Sequence, residues 1–389
     1  MMLTAGADGI TFKQKEKEKK MKSGRKVFVF LMSLALIVTA VAFFGCKEEE
    51  KAEAKAEEEK AAEAEEPKEE VLVAMATDVG GLGDKSFNDG SWAGLQKAEE
   101  EYDYVEARVV QSNQMTDYIP NLSGLAEDGA KVVFAVGFLM ADALLEVAGN
   151  YPDTYFAGID IGVPEDAPDN VRGILFKEEQ SGYIAGVAAG MLTKEYADVS
   201  DRLNEENVVG MVLGMDIPPV ERYQAGFYAG VKSVNPDCKV LSVVTGVFDD
   251  QSKGNEAAMA LIEQDADIVF QVAGLTGVGT INACKEAGVA AMGVDVDQAY
   301  IAPDAVITSA EKKLEEAAFL TIQAALEGEF TGGNVTLGIN EGATGISPWH
   351  EWEDIVPQAV KDAVDQAVAD MKAGEIDVPA TRAEAGYEG

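Results

Sequence analysis

The chain has 389 residues, 47% apolar and 26% charged, enough to bury a sizeable core in one or two domains and unlike a wholly disordered or collagenous sequence. Its 31 Lys and Arg against 69 Asp and Glu leave a formal charge of −38, which argues against a phosphate backbone, and hence a nucleic acid, as partner. One histidine, His350, and three cysteines, Cys46, Cys238 and Cys284, cannot make up a Cys₄ or Cys₂His₂ zinc cluster in the body.

The acids are concentrated in residues 71–389, which carry 18 basic and 54 acidic side chains. Self-repulsion on that scale keeps a surface soluble and costs stability at low salt, so the composition points to an ion-rich habitat.

At the N-terminus, residues 27–44 form an unbroken apolar run, VFVFLMSLALIVTAVAFF, behind Lys22, Arg25 and Lys26. A positive segment, an apolar segment and a small residue before the cut are the parts of an export signal, which predicts a signal peptide over 1–45 with Met21 as the biological start. A run of this length also just spans a bilayer, so a retained anchor is the alternative. Cys46, after Phe43-Phe44-Gly45, resembles a bacterial lipoprotein box, which implies lipidation of that cysteine and attachment to the membrane. Residues 46–70, rich in Ala, Glu and Lys, read as a charged, partly helical tether with almost nothing to bury.

From Val71 onward, short apolar runs ending in Asp or Gly alternate with helical patterns, the signature of parallel α/β architecture. Strands are predicted at 71–78, 104–111, 131–137, 154–160 and 171–176, and a second series at 207–214, 239–246, 267–274 and 290–296. Helices are predicted near 89–102, 117–129, 141–150, 180–195, 218–234, 252–265 and 276–288. Both series place polar residues at the carboxyl ends of strands, the edge at which open α/β sheets bind ligands. Two such lobes facing one another make a cleft. The strand VITSA (306–310) and the helix 311–328 are expected to return to the first lobe, and 335–345 with the helix 357–373 to belong to the second. The expected division is 71–178 plus 300–333 for lobe 1 and 179–299 plus 334–389 for lobe 2, joined by a hinge.

Several segments then carry a resemblance. ATDVGGLGDKSFNDGSWAGL (76–95), VGFLMADAL (136–144), MDIPPVERYQAGFYAGVKSVNP (215–236), FQVAGLTG (270–277), GVDVDQAY (293–300) and LGINEGATGI (337–346) occur in this order. They resemble the basic membrane protein family of extracytoplasmic substrate-binding lipoproteins, whose purine nucleoside receptors feed ABC transporters. The resemblance implies a type I periplasmic binding protein fold of two Rossmann-like lobes, a purine nucleoside ligand, and an ABC permease and ATPase as partners. It implies no cofactor and no catalysis, and the chain is expected to act as a monomer.

The residues at these positions suit that chemistry. Asp78 ends the first strand, and the glycine-rich stretch after it runs into a helix start that presents Phe87 and Asn88, a flat ring and a donor–acceptor amide. Read locally, the same pair is a core ring and an N-cap. Asp160 and Asp295 close matching strands in the two lobes, and paired carboxylates suit the hydroxyls of a ribose. Asp142 is a weaker candidate that is also placed to cap its helix. The second aromatic of a ring sandwich is Phe248 or Tyr223. Gly274 allows close backbone approach, and Lys312 resembles a family lysine facing the cleft. Ordinary readings stand beside these two, a turn and a solvated helix start.

Other motifs fail. GGLGDKS places Asp84 where a P-loop needs glycine, and GVGTIN (277–282) matches only two glycines of a dinucleotide fingerprint. His350, expected in a C-terminal loop with Trp349 and Trp352, has no recognisable nucleophile. Cys238 and Cys284 fit either free thiols or a disulfide. Three functions compete with a nucleoside receptor: a receptor for a sugar or other small polyol on the same fold, an extracellular nucleosidase, and a purely structural surface lipoprotein.

Overall fold

The computed structural model describes residues 69–387; the export segment, Cys46 and nearly all of the tether lie outside the described residues. The chain first runs through β1 (Val71–Ala76), α1 (Phe87–Glu101), β2 (Val105–Val110), α2 (Tyr118–Glu127), β3 (Val132–Val136), α3 (Ala141–Ala148), β4 (Tyr155–Ile159) and β5 (Val171–Phe176). It continues through α4 (Glu178–Leu192), β6 (Val208–Leu213), α5 (Pro218–Val234), β7 (Lys239–Val244), α6 (Gln251–Ile262), β8 (Ile268–Val272), α7 (Gly274–Ala287), β9 (Ala290–Asp295) and β10 (Val306–Lys312). The last elements are α8 (Leu314–Glu327), β11 (Gly333–Leu337), β12 (Thr344–Ile346), α9 (Gln358–Ala373) and α10 (Arg382–Ala385).

Two six-stranded sheets result, in the orders β11-β5-β4-β3-β1-β2 and β12-β10-β9-β8-β6-β7. All pairings are parallel except β10 with β12. Central strands such as β3 and β6 are buried along their whole length because helices cover both faces of each sheet. Alternation along one strand feeds two cores. Val73 and Met75 pack with Leu95 of α1 and Ala318 of α8, whereas Ala74 and Ala76 pack with Leu122 of α2 and Leu144 of α3. In the second lobe Val209 and Met211 join the core under α4, α5 and α9, and Val208 and Val212 the core under α6 and α7.

The lobe boundaries differ from the expected ones. The strand VITSA, expected in lobe 1, is β10 of the second sheet, beside β9, while β11, expected in lobe 2, lies at the edge of the first sheet beside β5. An apolar run carries no mark of the sheet it joins; register with a neighbour decides. The helix α8 does pack on α1 in the first lobe. The crossing back therefore falls after Lys312, which puts this lysine at a strand end of the second lobe.

The chain crosses between lobes at Lys177, at Lys313 and over 338–343. These crossings are bonded to one another: Lys177 N donates to Leu337 O at 2.9 Å and Lys313 N to Ala343 O at 2.9 Å. Gln180 Oε1 accepts from Ile339 N at 2.8 Å and from Thr344 Oγ1 at 3.1 Å. Beside this hinge, α4 and α5 touch backbone to backbone. A Cβ on Gly226 would lie 2.0 Å from Glu179 O.

Candidate functional site

Between the two carboxyl edges lies a cleft of about 580 Å³, the open solvent at its mouth included. Asp78, Phe87, Asn88, Asp160, Tyr223, Phe248, Gly274, Asp295 and Lys312 all line it. Asp142 does not; it is exposed in the first turn of α3.

One wall is the loop from β1 to α1. Asp84 is its anchor: Oδ1 accepts from Ser86 N at 3.0 Å and Asp89 N at 3.1 Å, and Oδ2 from Asn88 N at 2.8 Å. These are the orphan donors of the first turn of α1, satisfied by a side chain ahead of the helix. Burial pushes Asp84 up to about 7 in spite of them. Asn88 Nδ2 donates to Asp78 Oδ1 at 2.9 Å and Asp84 Oδ2 at 3.1 Å. Two carboxylates on that side fix the amide orientation, and they leave Asn88 Oδ1 without a protein partner. Burial also raises the pKa of Asp78.

Asp160 and Asp295 mirror one another across the lobes. Both sit at strand ends with left-handed backbone, φ 60° and 65°, a conformation that Asp adopts more readily than most residues. Between them stands Lys312. Its Nζ lies 2.5 Å from Asp160 Oδ2, 3.4 Å from Glu178 Oε1 and 3.8 Å from Asp295 Oδ1. It also lies 4.7 Å from the centroid of the Phe87 ring, a cation–π distance. Burial alone would disfavour the ammonium, but Asp160, Glu178 and Asp295 hold its pKa above the ordinary lysine value. For Asp160 burial prevails over Lys312 and raises the carboxyl to about 7. Its Oδ1 has no partner. The lysine is thus neither solvated nor at a helix start.

Behind Lys312, Glu178 is fully buried and pairs with Arg222 Nε at 2.5 Å. Phe248 lies against the backbone of Gly214: a Cβ there would come within 2.2 Å of its ring. Tyr223, which also lines the cleft, is almost wholly buried. Its ring meets Phe270 edge-on, its hydroxyl reaches Ala310 O at 3.3 Å and Asp295 Oδ1 at 3.4 Å, and Lys312 Nζ lies 5.9 Å from its ring centroid, so it meets the cleft from within the core. Gly274, with φ 55°, begins α7 close to Phe248. The remaining candidates fall outside the cleft. His350 Nε2 bonds Asp297 Oδ2 at 2.5 Å in a short 3₁₀ turn that also buries Trp352. Cys238 and Cys284 are free, buried thiols in different cores. Among the described residues no group of three or more His, Cys, Asp and Glu is placed to hold a metal ion.

Asp84 lines the cleft although the sequence offered it only as the residue that breaks a P-loop pattern, and Glu178 and Arg222, behind Lys312, were not singled out in the sequence. Glu178 and Arg222 look like ordinary charges on helix starts, and only the packing of α4 against α5 and β10 turns them inward.

A two-lobed α/β molecule with an acidic, aromatic interlobe cleft has relatives. A family model described as ABC transporter substrate-binding protein PnrA-like, Bmp, matches residues 71–382. The chain belongs to the Bmp family. An uncharacterized lipoprotein of Pyrococcus horikoshii is 34% identical over 286 residues, 71% of this chain and 68% of the relative. The ABC transporter nucleoside-binding protein BmpA of Lactococcus lactis subsp. cremoris is 30% identical over 333 residues, 80% of this chain and 90% of that protein. Among solved structures, an ABC transporter solute-binding protein from Aeropyrum pernix K1 superposes with a TM-score of 0.72 at 29% identity, covering 79% of this chain and 94% of that one. This Bmp chain is therefore a substrate-binding protein of an ABC transporter with the type I periplasmic binding protein fold. It works outside the cytoplasm, with a small-molecule ligand and with a permease and ATPase as partners.

Proposed function

We propose that this Bmp protein captures purine nucleosides in the interlobe cleft and is held to the membrane through lipidated Cys46. The observation that carries the reading is the pairing, in one cavity, of aromatic Phe87 and Phe248 from opposite lobes with buried acceptors that lack protein partners, Asn88 Oδ1 and Asp160 Oδ1. A purine offers flat faces to the rings and N–H groups to such acceptors, and a ribose offers hydroxyls to strand-end carboxylates. The name of the Lactococcus relative supports the nucleoside, and the lipoprotein names of the Pyrococcus relatives support the anchor.

Capture works by binding and closure about the three crossings, with no covalent step; ligand favours the closed form by its differential affinity for it. Asp78 and Asn88 read the base edge, while Asp160, Asp295 and Lys312 take the ribose. A thermal-shift panel of inosine, guanosine, adenosine, ribose and galactose tests the ligand class. Stabilisation by the sugars and not by the nucleosides overturns it in favour of a polyol receptor, and release of free base on prolonged incubation would make the protein a nucleosidase. Loss of membrane retention in Cys46→Ala tests the anchor.

A further inference from the structure

Contacts that join the lobes directly lie beside the ligand space. Lys85 and Ser86, ahead of α1 in the first lobe, face residues 294–300 of the second. Ser86 Oγ donates to Asp295 Oδ2 at 2.6 Å and lies 3.4 Å from Val294 O. Gln298 Nε2 donates to the Lys85 carbonyl at 2.9 Å, and Lys85 Nζ lies 5.5 Å from the centroid of the Tyr300 ring. Of these residues only Asp295 lines the cleft.

Both sides of this seam are held in place by their own lobe. Gln298 is fully buried, and its Oε1 accepts from Gln271 Nε2 at 2.6 Å and Val294 N at 2.9 Å. Two donors on that oxygen leave one orientation for the amide, with Nε2 turned toward the other lobe. The backbone N of Gln298 is tied to Ser309 Oγ at 3.0 Å. Across the seam, Lys85 takes a left-handed φ of 55°, unusual for lysine, and Asp89 holds that turn by accepting from Lys85 N at 3.0 Å and Gly83 N at 2.8 Å. Groups fixed in this way lose little conformational freedom when the lobes meet.

We infer that Ser86 and Gln298 form a closure seam that sets the closed fraction of the protein independently of ligand, which makes Gln298 a positioning residue for capture. A ligand that binds the closed form has its affinity scaled by that fraction, so Gln298 tunes affinity without touching the ligand, while Ser86 acts through Asp295, which lines the cleft. The inference rests on the nucleoside reading for its choice of ligand alone.

The test uses Ser86→Ala, which removes only the donor across the seam, and Gln298→Met, which keeps the bulk and removes the amide. Small-angle scattering is recorded for both variants and the parent, without ligand and with saturating inosine, alongside inosine affinity and dissociation rate. Each variant is expected to expand the ligand-free protein, to weaken inosine about three- to tenfold through faster dissociation, and to return to the parental scattering at saturation. Ligand-free scattering identical in all three proteins overturns the seam, whether or not inosine binds. Loss of affinity with unchanged scattering also overturns it, assigning Ser86 to ligand contact. Failure of every nucleoside to bind the parent sinks the nucleoside reading, while the ligand-free comparison still decides the seam.

Discussion

Replacing Lys312 by Met keeps the stem volume beside Phe87 and removes the ammonium that Asp160, Glu178 and Asp295 surround. The loss falls mainly on Asp160. Its Oδ2 has Lys312 as partner at 2.5 Å and its Oδ1 has none, whereas Asp295 keeps Ser86 and Glu178 keeps Arg222. A stranded carboxyl with a folded value of about 7 escapes by taking a proton, which at pH 8.5 costs about 2 kcal/mol, so Lys312→Met should be destabilised by about that amount in urea at pH 8.5 through Asp160. The pH dependence has a definite sign. A carboxyl raised from 3.8 to about 7 binds more protons folded than unfolded in that interval, so its unfavourable contribution grows as pH rises through the folded value and vanishes in acid. The gap between variant and parent should therefore narrow by pH 5.5, where Asp160 is protonated. Asp160→Asn in the Lys312→Met background should recover most of the loss at pH 8.5. A gap below about 1 kcal/mol at pH 8.5, or one that is the same at both pH values, would refute the reasoning.

Other outcomes follow from the same geometry. Phe87→Ala should weaken inosine binding by roughly 1–3 kcal/mol in calorimetry, the worth of a ring stacked on a base. Gly226→Ala drives a methyl to within 2.0 Å of Glu179 O and should cost about 1–3 kcal/mol or more, read as a lower melting temperature with or without ligand. Asp267, buried far from the cleft and raised by that burial from 3.8 to about 6, makes stability fall as pH rises from about 4 to 6; Asp267→Asn should flatten that slope in a series of urea melts. With 54 acids against 18 bases over residues 71–389, the melting temperature should rise between dilute buffer and molar salt, and its failure to do so would remove the case for an ion-rich habitat.

Much of the fold was legible without coordinates. Each expected strand from 71–78 to 290–296 is present with ends trimmed by a residue or two, because an apolar run closed by Asp or Gly is a local signal and so is the helical period between runs. The candidate residues were legible for a related reason. Ligand contacts on α/β lobes cluster at strand ends, and strand ends are visible as the points where apolar runs stop; Asp78, Asp160, Asp295 and the start of α1 fall there.

Tertiary structure alone decided which sheet received β10 and β11, since an apolar strand fits either lobe until its hydrogen-bond register is set. It also sets the surroundings of Phe248 and Tyr223 apart, although both line the cleft. Both are aromatics near the second cleft wall, but the glycine at 214 leaves Phe248 lying on bare backbone at the cleft, while Tyr223 is taken into the core under α5. The ion relay from Asp160 through Lys312 and Glu178 to Arg222 joins residues far apart in the chain, and no local pattern marks Glu178 and Arg222 as members of it. Sequence determines where polar groups interrupt apolar runs; which of those groups meet in a dry, low-dielectric space depends on packing between distant segments, and that packing sets their charge and partners.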